Sequence, residues 1–140
     1  MKNKVFVGYD TREDIAYQVC EHSLKRFNTE TEVIPLIQKD LRDQKLYWRE
    51  VDKLASTEFT FTRFLIPHLC NYKGWALFCD SDVVFLENVD NLFALADDKY
   101  AVMCVQHDYA KARHQDGRTS ANCLSKKELE FCGFMELWTS

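Results

Sequence analysis

The segment that most constrains this chain is an apolar run that leads directly into two aspartates. Trp75–Cys79 is apolar and follows the turn signal Lys73–Gly74. Asp80 and Asp82 come next, separated by one residue. A run this short is typical of a strand buried in a parallel sheet. Because side chains two apart on a strand share a face, the two carboxylates can converge on one hard cation. The segment therefore predicts a cation site at the end of a buried strand.

An alternative interpretation is that the two aspartates are loop residues that cap the next element. Aspartate is frequent in loops because its side chain hydrogen-bonds nearby backbone groups. The context favours the cation site, since a buried strand precedes the pair and a second apolar strand-like segment, Val83–Leu86, follows it at once. Ser81, between the aspartates, is expected to point to the opposite face.

The N-terminal third of the chain has the pattern of a β-α-β unit. The sequence predicts a strand at Val5–Tyr9, a helix over about Arg12–Phe27 and a second strand at Thr31–Ile37. Pro35 favours an edge position for that second strand, because proline cannot donate to a strand ladder. Two strands joined through a helix form a parallel pair with a right-handed crossover.

The remaining pattern continues the alternation of helices and strands. Gln38–Ser56 has no clear periodicity and is predicted to be irregular, and Thr57–Asn71 is predicted to be a helix that Pro67 kinks or splits. A short helix is expected over about Val89–Ala96 and a strand over Tyr100–Val105. The fold class is therefore α/β, an open and mostly parallel sheet with flanking helices.

Ligands of such sheets bind outside the carboxyl ends of the strands, and several polar residues fall there. Asp10 follows the first strand, Asp80 and Asp82 follow the mid-chain strand, and His107 and Asp108 follow the last one. Paired carboxylates without a cysteine–histidine cluster select Mg²⁺ or Mn²⁺, and these ions usually enter with substrate phosphates. We interpret His107 as structural.

Arg63 is the other candidate, because it lies in the otherwise apolar stretch Phe61–Pro67. An arginine among core residues needs an anionic partner, which could be an acidic side chain or a phosphate or nucleotide.

Composition narrows the classes of partner. A net charge of −4 argues against nucleic acid, which requires a basic surface. The six cysteines show no C-x-x-C spacing, so we expect free thiols in a reducing, cytoplasmic compartment. No run approaches the ~18 apolar residues of a membrane span, which leaves at most a peripheral membrane contact.

Three segments together carry a family resemblance. Tyr9–Asp10, the stretch Ser56–Arg63 and the strand Trp75–Asp82 resemble the GT-A nucleotide-sugar glycosyltransferases, specifically a family-8-like group of bacterial or phage type. The resemblance covers about Lys4 to Gly117. It implies a metal-dependent enzyme that transfers a sugar from a nucleotide-diphosphate sugar, with UDP-sugar as the expected donor, to a saccharide or glycan acceptor.

The resemblance also implies site residues. Asp80 and Asp82 would hold Mn²⁺ or Mg²⁺ on the donor diphosphate, and Tyr9 and Asp10 would line the base and ribose pocket. Arg63 would steady the donor. The donor-binding residues implied are therefore Tyr9, Asp10, Arg63, Asp80 and Ser81. No catalytic residue is assigned by the resemblance.

The chain departs from the family pattern near its end. Family members continue after a pair like Asp116–Gly117 with a segment resembling Gln-Thr-x-Tyr-Pro-Arg-Lys-Asn-Trp-Ser-Ser, and the codons from Ala121 onward permit that peptide when they are read one base later. We therefore expect a nucleotide-sugar-binding domain over 1–117 and a frameshifted, poorly packed tail over 118–140.

Two other functions remain open at this level. The first is a truncated, inactive fragment that binds the donor without transferring the sugar. Asp80-x-Asp82 after an apolar strand also fits a HAD-type phosphohydrolase, although the residues left after Asp82 are few for the later lysine and acidic pair of that class.

Overall fold

The computed structural model describes residues 2–105 and the backbone of one further strand, 135–139. The regular elements in chain order are β1 (Lys4–Gly8), α1 (Asp14–Phe27), β2 (Glu32–Leu36), α2 (Gln38–Asp43), α3 (Ile66–Leu69), β3 (Trp75–Cys79), α4 (Asp90–Phe93), β4 (Val102–Cys104) and β5 (Met135–Thr139). Short 3₁₀ turns precede α1 at Thr11–Glu13 and α3 at Thr62–Leu65.

The strands form one sheet in the order β2-β1-β3-β5-β4. β1 pairs in parallel with both β2 and β3, whereas β5 is antiparallel to β3 and to β4. Four of the five strands therefore point the same way, which confirms the α/β fold with an open, mostly parallel sheet. β2 lies at an edge, as Pro35 predicts.

The two faces of the sheet bury separate clusters, because alternate residues of a strand point to opposite faces. Val5, Val7, Leu77 and Cys79 pack on the face covered by α1, where Leu24 of the helix is also buried. Phe6 and Phe78 pack on the other face with residues from α2, α3 and the segment between these two helices. Both faces of β1 and β3 are thus buried, as expected for central strands.

Several boundaries differ from the sequence prediction. The first turn of the predicted helix at Arg12 is 3₁₀, and α1 begins only at Asp14. The prediction of an irregular Gln38–Ser56 is wrong at its start, where Gln38–Asp43 forms α2. That helix has one buried apolar residue, Leu41, so it shows no periodicity that a sequence could reveal.

The single helix predicted over Thr57–Asn71 is also wrong. The segment contains a 3₁₀ turn and the four-residue α3, with Pro67 in the first turn, so the break at proline is confirmed. Val83–Leu86 does not join the sheet, although Val83 and Phe85 are buried against the α1 face.

His107, Asp108 and the predicted tail up to residue 134 lie outside the described residues. Residues 135–139 of that tail form β5, and the frameshift itself stays a prediction. Among the helices that the structure describes, none has the length and apolar character needed to cross a membrane.

Candidate functional site

The two predicted metal ligands follow β3 directly. The last four residues of β3 are buried, and the chain leaves the sheet at Asp80, which is partly exposed. Ser81 is 2% exposed and Asp82 is exposed. Both aspartates lie beyond Cys79, the last residue of β3, and Asp82 lies in a turn, so the expectation that they share a side stays a prediction. The donor-binding role of Ser81 stays a prediction.

Arg63 lies beside the first of these aspartates. Its terminal nitrogen is 3.7 Å from the Oδ1 atom of Asp80, and the arginine side chain is only 15% exposed. The guanidinium carbon is 4.6 Å from the ring centroid of Phe78 and 5.8 Å from that of Phe59. The cation is therefore held against aromatic faces next to a carboxylate at the carboxyl edge of the sheet. The structure brings Arg63 and Asp80 together, as one site requires.

Asp10 lies at the end of β1 and is enclosed by its own turn. The residue is 2% exposed and caps the 3₁₀ turn through its side chain. Its Oδ1 atom accepts hydrogen bonds from the backbone N–H and the Nε atom of Arg12, at 3.0 and 2.9 Å, and Oδ2 accepts from the arginine terminal nitrogen at 2.6 Å. These bonds from Arg12 lower the pKa of Asp10 from 3.8 to about 2. Asp10 is thus a buried, hydrogen-bonded carboxylate.

Further bonds join this turn to a distant segment, and we call the group Asp10, Thr11, Arg12, Ser56 and Glu58 the clasp. The backbone N–H of Glu58 donates to Asp10, and Arg12 donates to the carbonyl oxygen of Ser56. The backbone N–H and hydroxyl of Thr11 both donate to the carboxylate of Glu58, at 3.1 and 2.7 Å. The clasp fixes residues 56–58 across the carboxyl end of β1.

A cleft of about 290 Å³ lies beside the clasp. It is lined by Arg12, Gln38, Tyr47, Val51, Asp52, Ala55, Thr57, Glu58 and Phe61. The guanidinium of Arg12 is held by Asp10, yet the arginine side chain is 69% exposed. The cleft therefore combines two aromatic rings with a fixed cation and several hydrogen-bonding groups.

Tyr9 faces a different neighbour. Its hydroxyl donates to Asp14 at 2.7 Å, and its ring packs edge-to-face against Tyr17 at 5.5 Å. The hydrogen bond to Asp14 raises the pKa of Tyr9 above its usual value. Tyr9 is partly buried beside the start of α1, and its predicted place in a base pocket stays a prediction.

Comparison with known proteins now identifies the family. The sequence model described as Glycosyl transferase family 8 matches residues 4–136. The chain belongs to glycosyl transferase family 8. It is 59% identical over 107 residues to Protein CDI of Arabidopsis thaliana, an alignment that covers 76% of this chain and 41% of that protein.

A solved structure shows the same fold. The apo-form glycosyltransferase GlyE of Streptococcus pneumoniae superposes with a TM-score of 0.56 at 20% identity, over 99% of this chain and 34% of that one. This family 8 chain spans well under half the length of both proteins. The resemblance drawn from the three sequence segments is confirmed at the level of family and fold.

The donor set at β3 fits a hard divalent cation. Two carboxylates one residue apart offer the oxygen ligands that Mg²⁺ and Mn²⁺ prefer, and one of them is exposed. Within residues 2–105, no group of three histidine, cysteine, aspartate or glutamate side chains converges on one point. Any further ligand would therefore come from outside this part of the chain, from water or from a bound phosphate.

Sequence reasoning missed Arg12, Glu58 and Phe59. Arg12 follows Asp10 by two residues, a spacing that lets an arginine fold back onto a turn carboxylate, but this signal is weak by itself. Glu58 meets Thr11 across 47 positions, and no local pattern reveals such a contact. Phe59 is one of many aromatic residues in the sequence and is distinguished only by what it contacts.

Proposed function

We propose that this family 8 chain binds a nucleotide-diphosphate sugar, with UDP-sugar as the donor, through Mn²⁺ or Mg²⁺ on Asp80 and Asp82. The sugar would pass to a saccharide or glycan acceptor. The observation that carries the proposal is the pair of carboxylates at the end of β3 with Arg63 3.7 Å from Asp80. One cation-binding pair and one fixed cation suit the charges of a diphosphate.

Different residues would bind the diphosphate and the nucleoside of the donor. A bound metal ion would supply Lewis-acid stabilisation of the charge that develops on the leaving diphosphate. Asp80 and Asp82 would hold that ion, and Arg63 would contact the phosphate oxygens beside Asp80. The cleft next to the clasp would accept the nucleoside end through the exposed Arg12 and the hydrogen-bonding groups of its lining. The rings of Tyr47 and Phe61 already contact Arg42 and Arg49.

The burial of Asp10 modifies the role that the resemblance implies for it. Both of its oxygens already accept hydrogen bonds from Arg12, and the residue is 2% exposed. Asp10 would therefore contribute by fixing Arg12, whose exposed guanidinium lines the cleft and would make the contact with the ligand.

The experiment is a calorimetric titration of UDP into the protein with and without Mn²⁺. We expect binding only in the presence of the metal, and we expect Asp80→Asn and Asp82→Asn each to weaken it by on the order of 100-fold. Asp43→Asn is the matched control, because Asp43 is an exposed partner of Lys39 on α2. Metal-independent binding, or equal losses in all three variants, would contradict the proposal.

A second candidate is donor binding without transfer. It uses the same carboxylates and Arg63 at the end of β3 and requires no catalytic residue. The same protein should then bind UDP with Mn²⁺ and fail to release UDP from UDP-sugars in the presence of saccharide acceptors. The HAD-type phosphohydrolase loses support, because the match to family 8 runs through the segment that suggested it.

The domain division and compartment also remain proposals. We propose that residues 1–117 form the donor-binding domain and that 118–140 is read out of frame, which nucleotide sequencing across Gly117–Ala121 would test. Codons incompatible with the expected family peptide would exclude the frameshift. The four cysteines among the described residues are free thiols, which supports a reducing, cytoplasmic location.

A further inference from the structure

We propose that Phe59 is a positioning residue for Arg63, and that Gly8 provides the space in which its ring lies. Arg63 would contact the donor, so the link to ligand binding rests on the proposed function. The positioning itself is a property of the protein without ligand. Neither Gly8 nor Phe59 would touch the donor in this role.

The first step is the contact between Gly8 and Phe59. A Cβ atom built on Gly8 would lie 2.5 Å from Cδ2 and 2.6 Å from Cγ of the Phe59 ring. Real Cβ atoms do not approach other atoms this closely, and the ring is 3% exposed, so it has little room to retreat. The last residue of β1 must therefore lack a side chain for Phe59 to occupy this place.

The second step is the aromatic surface that Phe59 completes. Its ring centroid is 6.4 Å from that of Phe78, with the two planes tilted by 55°. The guanidinium carbon of Arg63 lies 4.6 Å from the Phe78 centroid and 5.8 Å from the Phe59 centroid. Both distances are within the ~6 Å range in which a ring attracts a cation. The guanidinium thus lies against two rings from different segments, beside its ion-pair partner Asp80.

The third step is what this location does. Phe78 belongs to β3 and lies two residues before Asp80, so its position relative to that carboxylate is set by the strand. Phe59 comes from the segment between α2 and α3, and its place depends on Gly8. Because an aromatic side chain has few rotamers and cannot follow a moving cation, Phe59 restricts where the Arg63 guanidinium can lie against Asp80.

The direct test is the side-chain NMR signal of Arg63, assigned by its loss in Arg63→Lys. Protons above ring faces resonate upfield, so we expect the Arg63 Nε–H to move downfield toward the position of an exposed arginine in Phe59→Leu and in Gly8→Ala. Phe27→Leu is the matched control. The guanidinium carbon of Arg26 lies 4.4 Å from the Phe27 ring centroid at the end of α1, so this variant removes a ring from a different arginine. It should leave the Arg63 signal unchanged.

An unchanged Arg63 signal in a folded Phe59→Leu protein would overturn the proposal. Circular dichroism melting establishes that each variant is folded. If Phe59→Leu does not fold, Phe59→Met provides a flexible apolar side chain without a ring and is judged by the same signal. Phe59→Tyr keeps the ring and should keep the Arg63 resonance near its native position.

The binding test separates the positioning role from the proposed function. In the presence of Mn²⁺, Phe59→Leu should weaken UDP binding about tenfold, and it should cause no further loss in an Arg63→Met background. Equal losses in both backgrounds would show that Phe59 acts independently of Arg63 and would overturn the inference. If the native protein binds no UDP, the proposed function fails, while the Arg63 signal still decides the positioning role.

Discussion

An aspartate–arginine pair lies at the carboxyl end of each of the neighbouring strands β1 and β3. In the pair at β1 the aspartate is the more buried residue, and in the pair at β3 the arginine is. At β1 the side chain of Asp10 is 1% exposed and that of Arg12 is 69% exposed, at a separation of 2.6 Å. At β3 the side chain of Asp80 is 28% exposed and that of Arg63 is 15% exposed, at 3.7 Å. The same residue types therefore form two different kinds of site.

The difference shows what each aspartate can do. Asp10 accepts hydrogen bonds from its own turn and from Glu58, so its binding capacity is used within the protein. The side chain of Asp80 is 28% exposed and lies 3.7 Å from Arg63, whose guanidinium also contacts the ring of Phe78. We infer that the clasp at the end of β1 has a structural role and that the end of β3 binds a ligand.

Removing the carboxylate at β1 should therefore have the largest effect on stability. In Asp10→Ala the backbone N–H groups of Arg12 and Glu58 lose a charged acceptor, and we expect the free energy of unfolding to fall by about 2 kcal/mol. Urea denaturation measures this change. Asp43→Ala removes an exposed carboxylate from an i,i+4 pair and should cost less than about 0.5 kcal/mol. Equal costs for the two variants would contradict the comparison.

Acidification should gradually remove the stability that the ionised Asp10 carboxylate provides. Because Arg12 lowers the pKa of Asp10 from 3.8 to about 2 in the folded protein, the ionised carboxylate stabilises the fold above about pH 4. That contribution is lost as the pH falls through about 2. The difference in unfolding free energy between the native protein and Asp10→Asn should shrink over this interval. Lys99 also lowers the pKa of Asp97, but both proteins share this pair, so its contribution cancels in the difference. A difference that stays constant down to pH 2 would exclude this role for Asp10.

The sequence predicted the polar residues at the strand ends but not the contacts within the clasp. The place of Asp80 and Asp82 after a strand was predictable because a buried strand appears in the sequence as a short apolar run. The burial of Asp10 was not predictable, because it depends on Glu58 and Ser56, more than 40 positions away. The helix at Gln38–Asp43 was missed for a related reason, since a single buried leucine gives no periodicity.

Weakening the outer part of the clasp should cost less than removing Asp10. Glu58→Gln keeps the size of the side chain but removes the charge that accepts two hydrogen bonds from Thr11. Because these bonds are solvent-exposed, we expect a loss of about 0.5–1 kcal/mol in urea denaturation. Thr11→Val should cost a similar amount, and the double variant should cost less than the sum of the two. If the loss in the double variant equals the sum of the two single losses, Thr11 and Glu58 do not stabilise the clasp through their mutual contact.

The smallest effect on stability is expected at the end of β3, and it provides the strictest test of the comparison. Asp82 is exposed, and its side chain forms no hydrogen bond or ion pair within residues 2–105. Asp82→Asn should therefore change the free energy of unfolding by less than about 0.5 kcal/mol. The same variant should lose Mn²⁺-dependent UDP binding, whereas a mildly destabilised clasp variant such as Thr11→Val should retain it. Calorimetry and urea denaturation on the same preparations measure both quantities. Destabilisation by Asp82→Asn comparable to that by Asp10→Ala would mean that both strand ends are structural, and the assignment of β3 to ligand binding would then fail.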